Sequence, residues 1–596
     1  MKSFTSNLLR CCACCLLFVC GCDSDPAPKP DTIGNTPQPT TAVSLNLFTE
    51  VTHEVGLDFR HYNGMTGELY FPELMGSGTV LFDFDNDGDL DIYLVQGSLL
   101  GQNTTLEDST YPPKSEPRDQ LYRNDFKIDA AGKTTVKFVN VTEQSGIRAL
   151  GYGMGVAVGD YNNDGYQDLY VTNWGENQLF QNNHDGTFTD VTKRAGVESP
   201  EWGTSTAFVD VNQDGWLDLY VCNYVTFGYD THHRCYHPSG AVGYCGPQTE
   251  TPVSDRLFIN NQDGTFQDVS AQSGIARVSG PGLGVLCRDF NRDGWIDIYV
   301  ANDAAANQLW INNQDGTFAD EALLRGCACN ADGLVEGSMG VDAADIDGDG
   351  DDDLIMGHWA DETNTVFINL GDGNFEDQTK TFGLGIPSIG FTAFGTAWFD
   401  YDNDGWLDLF MANGATNFVE KQQRSGQQYP LQQANQLFHN KAGTRFEDMT
   451  EVAGTLCEGV EISRGTSFGD IDNDGDIDIL VGNNTGPARL FLNNVGTENH
   501  WLGIQLTSQA SIAPVVQCRI KIEQADQPVK WRVPRTDGSY LSVNDARVIV
   551  GLADCDKSAT ITVYWHDGRV ERWSDIAVNQ YLTLRQQAGE EVPNGP

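Results

Sequence analysis

The sequence is poor in basic residues. Its 596 residues include 36 lysines and arginines against 84 aspartates and glutamates, which gives a formal net charge of −48 at pH 7. This balance argues against a nucleic-acid partner, because phosphate backbones are bound through Lys and Arg. A carboxylate excess of this size is usually either a solvated acidic surface or a set of cation sites. Regular spacing of the acids favours the cation sites.

Long apolar runs and catalytic motifs are also missing. After the first 22 residues, no stretch reaches the length and hydrophobicity of a transmembrane helix, which needs about 20 apolar residues. The sequence contains no H-E-x-x-H or P-loop motif, and its serines and histidines are scattered, so no nucleophile–base pair is indicated. We therefore assign no catalytic residue, and we expect a binding protein, with an enzyme as the alternative.

The first 22 residues are typical of an export signal. Lys2 and Arg10 precede a short apolar run, and the letters VCGC ending at Cys22 resemble a bacterial lipobox. Ordinary secretory cleavage near Gly21 is the alternative. Residues 23–44 contain five prolines and are predicted to form an extended tether. We expect an extracytoplasmic bacterial lipoprotein, on the periplasmic side of a membrane or at the cell surface, held to the membrane only by lipid on Cys22.

One acidic pattern, D-x-[DN]-x-D-G-x-x-D, recurs along the chain. An F-x-x-V-T phrase lies before each copy, an N-x-L-F phrase follows it, and some copies of these phrases are degenerate. Runs such as LDLYVC and turns such as NNQDGTF indicate about four antiparallel strands per unit of about 64 residues. The seven copies begin at Asp83, Asp160, Asp210, Asp289, Asp345, Asp400 and Asp470.

Seven four-stranded units predict an all-β protein with a seven-bladed β-propeller at residues 45–497, followed by a small β domain at 498–590. A linear β-solenoid is the alternative, although its repeats are usually shorter. The first F-x-x-V-T strand, near Phe48, has no partner before it, and the last N-x-L-F strand, near Phe491, has none after it. We predict that these two strands pair and complete the last blade.

Calcium explains how so many carboxylates tolerate each other. Positions 1, 3, 5 and 9 can offer side-chain oxygens and position 7 a backbone carbonyl, which suits the 6 to 8 oxygen ligands of Ca²⁺. An EF-hand is excluded because position 12 is never Glu, and Mg²⁺ prefers sites richer in water. An Asp/Gly turn without metal is the alternative for each loop. We predict about seven Ca²⁺ sites with the ligands Asp83, Asp85, Asp87, Asp89, Asp91, Asp160, Asn162, Asp164, Tyr166, Asp168, Asp210, Asn212, Asp214, Trp216, Asp218, Asp289, Asn291, Asp293, Trp295, Asp297, Asp345, Asp347, Asp349, Asp351, Asp353, Asp400, Asp402, Asp404, Trp406, Asp408, Asp470, Asp472, Asp474, Asp476 and Asp478.

The cysteines after the export signal are odd in number, nine in all, so at least one is unpaired within the chain. Export favours disulfides, but sequence alone does not fix their connectivity. The best candidates are Cys235 with Cys245, in one insertion, and Cys518 with Cys555, in the C-terminal domain.

The repeats resemble FG-GAP/VCBS repeats, the calcium-binding propeller units also found in integrin alpha subunits. The stretches RTDGSYLSVNDARVIVGL and ITVYWHDGRVERWSDIAVNQYLTL resemble the ASPIC/UnbV domain. This order of domains, together with the segment CYHPSGAVGYCGP, is similar to the cartilage acidic protein 1 family. The segment APVVQCRIKI near Cys518 departs from that family, which more often has a Gly-Ala-containing segment there.

Three long connections between second and third strands, residues 97–119, 223–254 and 413–434, are predicted to share the face opposite the acidic loops. Long loops on a rigid scaffold commonly form binding sites, so we expect a protein or glycan ligand there. The alternative is a carbohydrate-active lyase or hydrolase that uses this face. Asp303, Asp361 and Glu362 lie outside the acidic loops, and nothing in the sequence singles them out. The middle connection carries aromatic, histidine and cysteine residues, namely Tyr224, Phe227, Tyr229, His232, His233, Cys235, Tyr236, His237, Tyr244 and Cys245.

Overall fold

The computed structural model describes residues 46–592 except 129–133, 237–239, 241 and 510. The predicted export signal, the lipid site Cys22, the tether and His237 lie outside the described residues. Residues 44–596 form one compact unit. In the described part of the chain, no helix has the length and apolar character needed to cross a membrane.

Seven antiparallel sheets repeat one strand order, and we number them as blades 1 to 7 along the chain. In blade 2 a single long strand supplies the second and third positions. The strands, from inner to outer, are Thr79–Phe82, Asp91–Leu94, Gln120–Asn124 and Phe138–Asn140 in blade 1; Tyr152–Gly159, Asp168–Asn182 and Phe188–Asp190 in blade 2; Gly203–Val209, Asp218–Asn223, Arg256–Asn260 and Phe266–Asp268 in blade 3; Gly282–Arg288, Asp297–Asn302, Gln308–Asn312 and Phe318–Asp320 in blade 4; Val341–Ala344, Asp353–Met356, Thr365–Asn369 and Phe375–Asp377 in blade 5; Ala393–Phe399, Asp408–Asn413, Gln436–Asn440 and Phe446–Asp448 in blade 6; and Ser463–Gly469, Asp478–Asn483, Arg489–Asn493 and Phe48–Glu50 in blade 7.

The predicted pairing of the first and last strands is confirmed. Phe48 lies opposite Asn493 in the antiparallel register of blade 7. The inner strand of each blade contacts the inner strand of the next, and the inner strand of blade 7 contacts that of blade 1. The strands are apolar on both sides because the blades pack face to face. In blade 3, for example, Leu219 packs against blade 2 and Tyr220 against blade 4.

Short helices and two-stranded ribbons lie in the connections within and between the blades. The α-helical turns are Thr142–Ser145, Thr192–Ala195, Ser270–Ser273, Ala322–Arg325, Gly385–Ser388, Glu420–Arg424 and Thr455–Glu458. The 3-10 turns are Phe71–Leu74, Leu106–Asp108, Pro247–Thr249, Ile275–Arg277 and Gly496–Glu498. The ribbons pair Lys127–Ile128 with Thr134–Thr135, Cys235–Tyr236 with Val242–Gly243, and Gln433–Ala434 with Val460–Glu461.

The C-terminal domain consists of two sheets. Their facing apolar side chains, such as Leu502, Ile520 and Ile561, form its core. The three-stranded sheet has the order Val548–Gly551, Trp501–Thr507, Gln580–Arg585. The five-stranded sheet has the order Lys530–Arg532, Arg519–Gln524, Ala559–Tyr564, Val570–Ile576, Glu590–Glu591.

One predicted disulfide is formed and the other is not. Cys235 and Cys245 are bonded, 5.1 Å apart between Cα atoms, whereas Cys518 and Cys555 are free thiols. Cys518 precedes the strand Arg519–Gln524, and Gln524 at its far end donates to the Cys555 carbonyl. Six residues of strand place the two cysteines about 20 Å apart, so the prediction of a Cys518–Cys555 bond is wrong.

A segment of the C-terminal domain, residues 535–547, lies against the inner strands and fills the axis of the propeller. We call it the axial segment. Val543 donates to Thr79 in blade 1, and Val341 in blade 5 donates to Ser539. The backbone N–H of Cys287 in blade 4 donates to the Asp537 carboxylate at 2.7 Å. The inner strands have an unpaired edge, and the axial segment supplies partners for it.

Candidate metal loops and the opposite face

Each acidic loop folds around the carboxylate at its first position. In blade 2, Asp160 accepts the backbone N–H of Asp164 and of Gly165, both at 2.9 Å. Gly165 has a φ of 94°, a left-handed conformation that glycine adopts without strain. The N–H of Tyr166 donates to Asp164 at 3.0 Å. These bonds explain the Asp and Gly at positions 1, 5 and 6.

The aspartate at position 9 begins the second strand of every blade and fixes the third. One of its oxygens accepts the backbone N–H of an asparagine in the third strand, at 2.7 to 2.9 Å in all seven blades. The side chain of the same asparagine donates to the position-2 carbonyl of the preceding blade, and Asn124 in blade 1 reaches Ile471 in blade 7. The seven asparagines are Asn124, Asn182, Asn260, Asn312, Asn369, Asn440 and Asn493.

The loops bring carboxylate oxygens together without enough donors to satisfy them. Oxygens of Asp83, Asp85 and Asp91 lie within 4.8 Å of one another, as do those of Asp345, Asp347 and Asp353 and those of Asp400, Asp402 and Asp404. Several buried oxygens have no hydrogen-bond partner among the described residues, and they include Asp85 Oδ1, Asp89 Oδ1, Asp400 Oδ1, Asp472 Oδ1 and both oxygens of Asp476.

Burial and neighbouring carboxylates raise the pKa of several of these groups. Burial, followed by repulsion from Asp474 and other loop carboxylates, raises the pKa of Asp476 to about 9. A buried carboxylate without a donor is unfavourable unless a cation or proton neutralises it. The candidate ligand atoms are all oxygens and mostly belong to carboxylates, which is the ligand set that Ca²⁺ prefers. The loop residues therefore fit a hard divalent cation.

The remaining predicted metal ligands differ in the atoms that they could offer to an ion. Asn162, Asn212 and Asn291 at position 3 accept the N–H of position 5 through Oδ1. For Tyr166, Trp216, Trp295 and Trp406 at position 7, only a backbone carbonyl can serve as a ligand. At position 7 in blade 5, the Asp351 side chain pairs with Arg292 at 2.6 Å.

One side chain beside the loops was not foreseen from the sequence. His439 Nδ1 lies 3.0 Å from Asp408 Oδ1 and 3.8 Å from Asp402 Oδ2 in blade 6. The sequence signal was present, because only blade 6 has histidine immediately before the third-strand asparagine.

The side chain at position 4 can link its loop to the next one by a hydrogen bond, a role that the sequence pattern did not predict. Position 4 takes a left-handed φ in every copy, from 54° at Asn403 to 86° at Gly348. Asn86 donates to the Gly165 carbonyl of the next loop at 2.9 Å, and Asn473 in blade 7 donates to Gly88 in blade 1 at 3.4 Å. Asn163, Gln213 and Asn403 make the equivalent bond.

The C-terminal domain lies on the face that carries these loops, which we call the acidic-loop face. Arg519 donates to the Gly350 carbonyl at 2.8 Å and Arg532 to that of Gly405 at 3.1 Å. Ser511 donates to the Asp160 carboxylate at 2.7 Å, and Tyr581 donates to that of Asp470. The position-1 aspartates of the blade 2 and blade 7 loops are thus hydrogen-bonded to the C-terminal domain.

The long connections meet on the opposite side, which we call the insertion face. Tyr244 contacts Phe418 with ring centroids 6.1 Å apart, so the second and third connections touch. Residues 57–78, which lead into blade 1, also cover this face, and sequence reasoning missed them. Their Tyr70 ring contacts Tyr229 and His232, and Phe71 contacts Trp202.

The two described histidines of the middle connection, residues 223–254, contact backbone carbonyls. His232 Nε2 lies 3.0 Å from the Glu68 carbonyl, and His233 Nδ1 lies 3.3 Å from that of Thr231. The cysteines beside His233 are joined in the disulfide, so their sulfurs are not thiolate ligands. Tyr236 is 65% exposed.

A cavity of about 190 Å³ opens on the insertion face. It is lined by residues from the segment 57–78, from both later connections and from blades 3 to 6. Asp303 lines it, although the residue is only 4% exposed. Burial, partly offset by the Tyr224 hydroxyl, raises the pKa of Asp303 to about 7.

Family comparison matches both parts of the chain. The FG-GAP-like repeat matches residues 160–221, 289–356 and 345–411, and the ASPIC and UnbV family matches residues 509–591. Cartilage acidic protein 1 of Homo sapiens is 25% identical over 313 residues, which are 51% of this chain and 44% of that protein. The Xenopus tropicalis protein is 24% identical over 347 residues, 56% of this chain and 49% of that protein. The chain therefore spans about half the length of the curated relatives it matches.

The solved structures that match are more distant in sequence. YCF48 bound to D1 peptide is 8% identical with a TM-score of 0.38, covering 76% of this chain and 97% of that one. An Agrocybe aegerita lectin described for recognition of non-reducing terminal N-acetylglucosamine is 15% identical with a TM-score of 0.36, covering 65% and 82%. On the family matches, this chain carries FG-GAP-like repeats followed by an ASPIC and UnbV domain and is similar to cartilage acidic protein 1, as its sequence predicted.

Proposed function

We propose that this protein is a calcium-stabilised binding module that is held outside the cytoplasm by lipid on Cys22 and takes a protein or glycan ligand on its insertion face. FG-GAP-like repeats with an ASPIC and UnbV domain suggest a binding or adhesion-type module.

The observation that carries the proposal is the position of the C-terminal domain. It contacts the acidic loops through Arg519, Arg532, Ser511 and Tyr581, and its axial segment fills the centre of the propeller. A ligand on the acidic-loop face would compete with these contacts. The insertion face, by contrast, gathers three connections and an aromatic cluster over the rigid blades.

Calcium is supported by the unpaired loop oxygens. A divalent ion in each loop would neutralise carboxylate oxygens that have no hydrogen-bond partner among the described residues, as at Asp85 and Asp476. The ion would also hold the first and second strands of each blade together, because its ligands lie at the end of one and the start of the other. Its role in the proposal is structural.

The enzyme alternative has less support. A hydrolase or lyase needs an acid and a base within reach of one substrate bond. Among the described residues of the insertion, His232 and His233 contact backbone carbonyls and no carboxylate. Outside the insertion, His358 Nε2 lies 3.5 Å from Glu336 Oε2, but both side chains of this pair are buried.

Binding can be tested on glycan and peptide arrays with the protein lacking its signal. We expect calcium-dependent binding that Gln248→Arg, at the rim of the cavity, abolishes. Gln267→Arg is the matched control, because Gln267 is also exposed but lies in the outer strand of blade 3. Equal loss with both variants, or no ligand on either array, would contradict the assigned face. Incorporation of labelled palmitate, absent from Cys22→Ser, tests the anchor.

A further inference from the structure

Asp303 lines the cavity on the insertion face, and one oxygen of its carboxylate has no hydrogen-bond donor among the described residues. Tyr224 donates its hydroxyl to Asp303 Oδ2 at 2.5 Å. Asp303 Oδ1 is buried and has no hydrogen-bond partner among the described residues. A tyrosine thus holds one oxygen of this carboxylate and leaves the other available to a ligand.

No described basic side chain forms an ion pair with Asp303. The charged group that acts on it is Glu362, which repels it. The buried Arg464 lies 3.9 Å over the ring of Phe394, another lining residue, and donates to the Leu74 carbonyl at 2.7 Å. Its charge is held by backbone dipoles, so Asp303 has no cationic partner of its own. A buried carboxylate in this state favours a ligand that brings a positive charge.

The walls of the cavity suit the rest of such a ligand. Leu74, Met75 and Met339 supply apolar surface, and Trp359 supplies an aromatic ring. The exposed rim residues Gln248 and Asn417 are polar. A methylene chain buries favourably along apolar side chains while its ammonium group stays with polar partners. Aromatic rings attract cations as well.

We propose that this cavity binds a primary alkylammonium group, of the kind at the end of a lysine side chain on a protein partner, with Asp303 Oδ1 accepting the ammonium hydrogens. This inference rests on the proposed ligand face and narrows its ligand to one chemical class. A neutral sugar, whose hydroxyl would donate to the same oxygen, is the competing outcome.

The test compares two ligands of equal length. The mature protein in calcium buffer at pH 8 is titrated calorimetrically with hexylammonium chloride and with 1-hexanol. We expect hexylammonium to bind at least ten-fold more tightly, because only its charge pairs with Asp303. Asp303→Asn should remove that advantage and leave hexanol binding unchanged. Asp361→Asn is the control, since Asp361 is an exposed acid two residues beyond Trp359.

A second variant guards against a simple folding defect. Tyr224→Phe removes the hydroxyl that favours the charged form of Asp303, so hexylammonium binding should weaken at pH 7 and recover at pH 8.5. Wild-type affinity should also rise from pH 6 to pH 8 as Asp303 ionises beside Tyr224 and Glu362. A pure loss of structure would not recover at higher pH.

Three results would overturn the inference. The first is equal affinity for hexylammonium and hexanol, and the second is hexylammonium binding that Asp303→Asn leaves intact. The third is Asp303-dependent binding of N-acetylglucosamine without any response to hexylammonium, which would assign the cavity to a neutral sugar. This third result would leave the proposed ligand face standing, whereas an array ligand insensitive to Gln248→Arg would remove the face itself.

Discussion

On the acidic-loop face the buried carboxylates lie in clusters, whereas on the insertion side four buried acids are each bonded to a tyrosine. In blade 3, Tyr220 donates to Asp255 at 2.7 Å, and in blade 1 Tyr93 donates to Asp119 at the same distance. Tyr224 bonds Asp303 and Tyr244 bonds Glu73, at 2.5 and 2.6 Å. Burial raises the pKa of all four acids to about 7.

The difference shows two ways in which a fold can bury acid. A carboxylate bonded to a tyrosine can take up a proton near neutral pH, which removes its charge without a cation. A cluster of three to five carboxylates cannot be satisfied in this way, because each charge raises the cost of the next. A cation bound by many of these oxygens offsets the repulsion within the whole cluster. We therefore expect metal to control one side of the molecule and protons the other.

Chelation gives the largest expected effect on this comparison. Metal bound only to the native state stabilises it by about 2.7 kcal/mol per site when free calcium is 100 times the Kd. With about seven sites, removal by excess EDTA should lower the melting temperature by roughly 10 °C or more, measured by scanning calorimetry. Magnesium at the same ionic strength is the control. An unchanged melting temperature would contradict structural calcium.

Tyr540→Ala tests the axial segment that joins the two sides. Tyr540 is fully buried and packs on Phe394 with ring centroids 4.9 Å apart. Loss of a buried aromatic ring costs about 3–5 kcal/mol, which urea unfolding would measure. Tyr540→Phe should cost little, because the hydroxyl has no hydrogen-bond partner among the described residues. Tyr236→Ala, at an exposed position, should change nothing, and equal effects of all three variants would exclude a role for the axial segment.

The acidic-loop side was predictable from sequence and most of the insertion side was not. The spacing of aspartate and glycine specifies a loop locally, and alternating apolar runs specify strands, so blades and loops followed from the repeats. The Phe48 pairing followed because one strand lacked a partner at each end. The axial segment and residues 57–78 are single copies whose positions depend on contacts distant in sequence. No local pattern marks Asp303, because its neighbours come from other blades.

Asp255 shows the same limit and gives a matched test of the insertion side. It occupies a position, just before the third strand, where blades 2, 4, 5 and 6 have asparagine. Its Oδ1 accepts the N–H of Asn223 at 2.8 Å, and in blade 2 Asn177 accepts that of Asn173 at the same distance. The Asn177 side chain also donates to Tyr170 at 3.2 Å, so asparagine can serve beside a tyrosine.

Asp255→Asn should therefore stabilise the protein as pH rises. The native-state pKa of Asp255, about 7, lies above its unfolded value of about 4. As the pH rises from 4 to 7, the native state keeps a proton that the unfolded state has already lost. The free energy of unfolding of the wild type therefore falls relative to that of the variant. At about 1.4 kcal/mol per pH unit, the difference reaches up to about 4 kcal/mol at pH 8 and is small at pH 4. Urea unfolding at both pH values measures it. Asp230→Asn, at an exposed position, should show no such trend, and a pH-independent Asp255→Asn difference would contradict a buried, protonatable acid.

A pair of variants in the blade 1 loop gives the smallest expected effect and separates ligands from turn formers. Position 1 is aspartate in every copy, whereas position 3 is asparagine in three of the seven. Asp83→Asn should abolish one calcium site and cost about 2.7 kcal/mol at 100 times the Kd. Asp85→Asn should keep all sites and only weaken one, because asparagine still offers an oxygen. Titration calorimetry counts the ions per chain. If both variants kept the full number of ions, position 1 would be an acceptor for the Gly88 N–H and not a metal ligand.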